Sequence, residues 1–124
     1  MTQTTLDNYR GIWETYAMSW KVDSREEKLT LFEQSLTEDC RYIDPLGTAN
    51  GWQELADTML GFNDNVPGGH FITTRFIAHH KKSIANWEMR NSEGTVLGDG
   101  ISYGEYNEEG KLVAMTGFFD LPEN

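Results

Sequence analysis

Over the first twenty residues, apolar side chains recur mostly at steps of three and four: Leu6, Tyr9, Ile12, Trp13, Tyr16 and Trp20. That spacing predicts an amphipathic helix from about Thr5 to Val22 with an aromatic face. Asp23 or Ser24 can cap a second helix, and Glu26 and Glu27 suit its positive N-terminus. Leu29, Phe32 and Leu36 carry the apolar face of that helix to about Thr37. Cys40 to Ile43 reads as a short strand. A third helix, from Gly51 to about Phe62, aligns Trp52, Leu55, Met59 and Phe62, and the run Asn63-Asp64-Asn65-Val66-Pro67-Gly68-Gly69 ends it.

Beyond Gly69 the period changes to two. Strands are expected from His70 to about His80, from Ser83 to Asn91, from Thr95 to Tyr106 and from Leu112 to Leu121. Asn91-Ser92-Glu93-Gly94 and Asn107-Glu108-Glu109-Gly110 read as hairpin turns. Helices grouped ahead of hairpin-linked strands imply an α+β domain, with three helices covering one face of a strongly bent, mainly antiparallel sheet. Such a sheet leaves a pocket beneath the helices. Gly98, Gly100, Gly104 and Gly117 within the strands fit strong bending.

Composition narrows the class. A chain of 124 residues suits one domain, residues 1–124, with a substantial core. Aromatics at 12% are too many for a disordered chain and suit a cavity with large walls. The net charge of −10 repels phosphate backbones and anionic lipid, so neither nucleic acid nor a membrane is expected as a partner. A single cysteine, Cys40, excludes an internal disulfide and fits a reducing compartment. No membrane-length apolar run and no signal-peptide pattern is read, so a cytoplasmic location is expected.

The chemistry centres on Tyr42-Ile43-Asp44-Pro45-Leu46-Gly47-Thr48-Ala49-Asn50-Gly51. Pro45 biases Asp44 towards an extended conformation, so the strand should end there, and Gly47 and Gly51 bracket a turn. A carboxylate fixed at a strand end can act as a general base in apolar surroundings. The alternative is that Asp44 only hydrogen-bonds the backbone of its own turn.

The aromatic first helix, Tyr42-Ile43-Asp44-Pro45 followed by Gly51, Val66-Pro67-Gly68, mid-strand Trp87, and Gly100-Ile101-Ser102-Tyr103 leading to Asn107-Glu108-Glu109-Gly110-Lys111-Leu112 together resemble one family. It is the nuclear transport factor 2-like superfamily, in its SnoaL-like and ketosteroid-isomerase-like branch. The resemblance spans nearly the whole chain and implies a cystatin-like cone. The same fold hosts isomerases, cyclases, hydrolases, dehydratases and inert binding modules. In the ketosteroid-isomerase branch the carboxylate of an Asp-Pro-aliphatic-Gly segment shuttles a proton, and Asp44-Pro45-Leu46-Gly47 matches that segment. The resemblance thus implies Asp44 as general base and Tyr16 as donor to the developing oxyanion. The family's second donor, a protonated carboxylic acid, falls here on Ser102, a departure that still leaves a hydroxyl donor.

The resemblance also places Ala85, Trp87, Met89, Met115, Gly117 and Phe119 on the cavity wall, and the period of two independently groups each strand's set on one face. Trp13, Trp20 and Met59 are further lining candidates, Met59 standing where some isomerases carry a second tyrosine. His79 could lie at the pocket mouth as a second proton carrier. No metal is expected at His70, His79 and His80, since neighbours in a strand point to opposite faces and no Cys or Glu stands at ligand spacing. Asp99 has the opposite parity to Ser102 and reads as outward-facing. Two functions remain open. One is a cofactor-independent isomerase, cyclase or lyase acting on a small apolar molecule. The other is a non-catalytic ligand-binding or dimerisation module. In either case Tyr103, Ile101 and Leu97, read as outward-facing, imply a homodimer through the outer sheet face.

Overall fold

The computed structural model of the protein describes residues 3–121, with side chains from Asn8 onward. Leu6, read as part of the first apolar face, has a side chain outside those described. The helices are α1 (Gln3–Lys21), α2 (Arg25–Ser35) and α3 (Gly51–Asn65). The strands are β1 (Leu36–Asp44), β2 (Gly47–Asn50), β3 (His70–His79), β4 (Lys82–Arg90), β5 (Val96–Tyr106) and β6 (Leu112–Phe118). All six form one sheet in the order β2-β1-β6-β5-β4-β3. Among the described residues only β1 and β6 run parallel, so the sheet is mixed and mainly antiparallel. Among the described residues no helix is long and apolar enough to cross a membrane.

Local chemistry sets the elements. Ser24 caps α2: its Oγ accepts the Glu27 N–H at 3.2 Å and donates to the Glu27 carboxylate at 3.0 Å. Asn91 and Asn107 build the two hairpin turns alike, each Oδ1 accepting two backbone N–H groups of its own turn. Register breaks occur in β1, β3, β4–β5 and β5–β6, and these bulges bend the sheet. Two of the strand glycines serve another purpose. A Cβ on Gly100 would lie 2.4 Å from the Trp87 ring, and one on Gly104 would lie 3.3 Å from the Trp13 ring. Each glycine lets an aromatic side chain come close to bare backbone.

Phe32, Leu36, Leu55, Met59, Leu112 and Met115 are fully buried where α2 and α3 meet β1 and β6. Lys28 is buried with them. Its ammonium donates to the carbonyls of Ser19 (2.8 Å) and Val22 at the end of α1. These carbonyls otherwise lack an intrahelical donor. Burial lowers the Lys28 pKa to about 8, against the opposing pull of Asp23 and Glu27. Lys28→Met keeps the stem and removes the donor, and is expected to cost about 2–4 kcal/mol of stability in urea unfolding at neutral pH.

Candidate active site

β1 and β2 form a hairpin with Asp44 opposite Gly47 and Pro45-Leu46 at its tip. Gly51 adopts φ +80 and turns the chain from β2 into α3. Asp44 Oδ1 accepts the N–H groups of Leu46 (2.8 Å) and Gly47 (3.2 Å). Its other oxygen, Oδ2, accepts the Tyr42 hydroxyl. One carboxylate oxygen therefore ties the turn while the other is held by the Tyr42 hydroxyl.

Asp44 lines a cavity of about 730 Å³ between the helices and the concave sheet face. Eight aromatic side chains share the lining: Trp13, Tyr16, Trp20, Tyr42, Phe62, Phe71, Trp87 and Phe119. They brace one another, with Trp20 within 5.6 Å, ring to ring, of Tyr42, Phe62 and Phe71, and Phe71 within 5.1 Å of Trp87. Gly117 of β6 forms the floor. A Cβ built on it would lie 3.5 Å from Asp44 Cβ, 3.8 Å from Ser102 Oγ and 3.9 Å from Tyr42 Oη. A ligand atom resting there has a carboxylate and two hydroxyls around it.

Burial sets the protons. It raises the Tyr16 phenol far above the usual tyrosine range; the Trp20 contact partly opposes this, and the Cys40 and Asp44 charges add to it. Tyr42 is raised as well, first by burial and then by Tyr16 and by its hydrogen bond to Asp44. Both phenols remain donors at neutral pH. Ser102 Oγ accepts the Trp87 indole N–H at 3.0 Å, so its own proton is free to be donated. Gly100→Ala would drive a methyl into the Trp87 ring and to 2.7 Å from the Phe118 carbonyl oxygen. The expected result is a loss of about 1–3 kcal/mol in the urea midpoint together with a shifted indole emission.

No family model and no curated protein sequence matches the chain. Solved structures do match. A SnoaL-like family protein from Agrobacterium tumefaciens strain C58, put forward as an isomerase, is 25% identical, with TM-score 0.84 over 93% of this chain and 99% of that one. A protein of cystatin-like fold from Nostoc punctiforme PCC 73102 aligns over 97% and 94% at 16% identity and TM-score 0.77. A protein of ketosteroid isomerase-like fold from Catenulispora acidiphila DSM 44928, solved with trimethylamine, aligns over 89% and 85% at 13% identity and TM-score 0.71. The chain thus has the cystatin-like fold that these SnoaL-like and ketosteroid isomerase-like proteins share.

Within that fold, Asp44, Tyr16, Ser102, Trp13, Trp20, Trp87, Met89 and Phe119 all line the one cavity. Met59, Ala85 and Met115 share its face of the fold but are buried to 1% or less and lie outside the lining. Strand parity places Ala85 and Met115 on the concave side, where the packed helices cover them, and Met59 lies on the buried face of α3. His79 lies at the exposed end of β3, away from Phe71 and Thr73 that line the cavity. The two adjacent histidines are not splayed apart as a continuous strand would hold them. His80 has turned to φ 47, which brings its Nδ1 to 3.1 Å from His79 Nδ1. Among the described residues no group of three metal-ligating side chains occurs. Leu97 also differs from its expected outward place. It is the extra residue of the bulge opposite Met89 and Arg90, and it joins the cavity wall, as does Asp99 at the rim. Tyr42 is the cavity residue the sequence reading passed over. Its place two residues before Asp44 in a strand, and so on the same face, was the available signal.

Proposed function

We propose that the cavity binds a small, mainly apolar molecule bearing a carbonyl or hydroxyl oxygen, and that Asp44 moves a proton on it without a cofactor. The supporting observation is the convergence of Asp44, Tyr42 and Ser102 over the bare Gly117 floor. Asp44 takes a proton from the carbon next to the carbonyl carbon, leaving an enolate, and returns it to that carbon or, where a double bond extends the enolate, to the far end of the conjugated system. Tyr42 holds the carboxylate in position. Ser102 and Tyr16 donate to the oxygen as negative charge gathers there. The second reading, a binding module without chemistry, draws on the turn bonds that already occupy Asp44 Oδ1.

Three of the four tryptophans line the cavity, so occupancy can be read from their emission. An apolar ketone such as 2-decalone should quench it saturably, and Gly117→Leu, which fills the floor, should weaken that quenching at least about tenfold. Equal binding by the variant would move the ligand elsewhere.

The protein is further proposed to be cytoplasmic and a homodimer. Buried, unpaired Cys40 suits a reducing compartment. Ile43, Ile72, Ile77, Ile101 and Phe118 are exposed together on the outer sheet face. A second copy laid on that face removes them from water. Light scattering at micromolar concentration is expected to give twice the chain mass, falling to one with Ile101→Lys and Phe118→Lys combined.

A further inference from the structure

The charge distribution of the cavity is one-sided. Among the described residues its lining contains three carboxylates, Asp44, Asp99 and Asp120, and no lysine, arginine or histidine. Trp87, Asp99, Phe119 and Asp120 also line a cleft of about 590 Å³ that opens on the outer sheet face, beside Glu88, Ile101 and Phe118. Lining both spaces, these four residues form the threshold of the cavity. There the Trp87 and Phe119 rings stand 6.1 Å apart, inclined at 66°. The ion pairs among the described residues use Glu14, Asp57, Glu88, Glu105 and Glu108 as acids, and leave Asp99 and Asp120 unneutralised.

We infer that the ligand is an amine-bearing apolar molecule, its ammonium group seated at this threshold between Asp99, Asp120 and the faces of Trp87 and Phe119. The inference rests on the cavity being the ligand site, as proposed above, and adds the ligand's charge. An anionic ligand meets carboxylates on entry and no cation inside to replace its hydration. A quaternary or tertiary ammonium meets two aromatic side chains, whose π-systems attract a cation, and two exposed carboxylates that stay hydrated, so neither partner is stripped of water without compensation. The apolar body then passes inward over Phe71 and Trp20, and the reacting oxygen end reaches Ser102 and Asp44. The net charge of −10 draws cations towards the protein from a distance and repels carboxylates and phosphates.

Three probes of matched shape test this: benzyltrimethylammonium, its uncharged isostere neopentylbenzene, and benzylphosphonate. Binding to the whole protein is followed by tryptophan emission at low and high salt. The ammonium is expected to bind at least about tenfold tighter than neopentylbenzene, with the phosphonate weaker than both. The double substitution Asp99→Asn and Asp120→Asn should bring the ammonium close to the uncharged probe while neopentylbenzene binds as before. Equal binding of all three probes, a preference for the phosphonate, an ammonium preference that survives the double substitution, or no binding of any probe overturns the inference. Asp44 is untouched in these variants, so the outcome separates from that of the catalytic reading. Ammonium preference without proton transfer upholds the threshold and removes the chemistry; proton transfer on a ketone without charge preference does the reverse.

Discussion

Raising the pH past 10 is expected to unfold the protein within about two pH units. Tyr16, Tyr42 and Tyr106 are all buried, and burial raises each phenol above the ordinary value of 10.0. The unfolded chain releases these protons from about pH 10, whereas the fold retains them. A group whose folded pKa is raised contributes stability that is complete below the unfolded pKa and lost above it. By pH 12 the loss is about 2–3 kcal/mol per phenol. Three of them sum to much of the roughly 5–15 kcal/mol that holds a domain folded. Lys28 works in the opposite direction over a lower window. Its pKa falls from 10.5 to about 8, so between those values the unfolded chain binds more protons and stability rises with pH. The stability curve should therefore peak near pH 10 and drop steeply beyond. Tyrosinate absorbance near 295 nm should develop in two stages, the second cooperative and coincident with loss of the circular dichroism signal. Smooth titration of all the tyrosines with the fold intact would contradict the burial of these three.

Asp44 should separate activity from stability according to what replaces it. Asparagine keeps an Oδ1 for the Leu46 and Gly47 N–H groups, and the Tyr42 hydroxyl can rotate to accept from the new amide. Asp44→Asn is expected to remain within about 1 kcal/mol of the parent in urea while proton transfer falls by about 10²–10⁴. Alanine removes the turn acceptor and leaves a buried phenol without its partner. Asp44→Ala should lose activity equally and also about 2–3 kcal/mol of stability. If both variants lose stability alike and neither changes turnover, the carboxylate serves only the hairpin.

Much of this was legible in the chain because its periods are strong. The aromatic stripe of α1, the N-cap at Ser24, the Asn-led turns and the alternation from His70 onward each carry a local rule that the fold obeys. The strand parity of Tyr42, Asp44, Trp87, Met89, Ser102 and Phe119 follows from the period of two. Local pattern failed where contacts from far along the chain decide. Leu36 continues the helical spacing of α2, yet Ser35 ends the helix and Leu36 opens β1, paired with Leu112 at the far end of the chain. β2 is four residues of small and polar type, too short and too plain to show alternation, and it exists because β1 pairs with it. The bulge at Leu97 reverses parity for one residue, which no alternation rule anticipates. Depth was hidden as well. Ala85 and Ser102 face the same side at paired positions, and only the packing of the helices makes the first core and the second wall.

The central claim is that Asp44 takes protons from a ligand lying on Gly117. The direct measurement is exchange of the α-protons of 2-decalone for deuterium in heavy water, followed by proton NMR with wild type and Asp44→Asn at matched cavity occupancy. Saturable exchange by the wild type, lost by about a hundredfold or more in Asp44→Asn with binding retained, is the predicted result. Equal exchange rates in the two proteins, or no exchange above buffer from a fully occupied wild type, would contradict it.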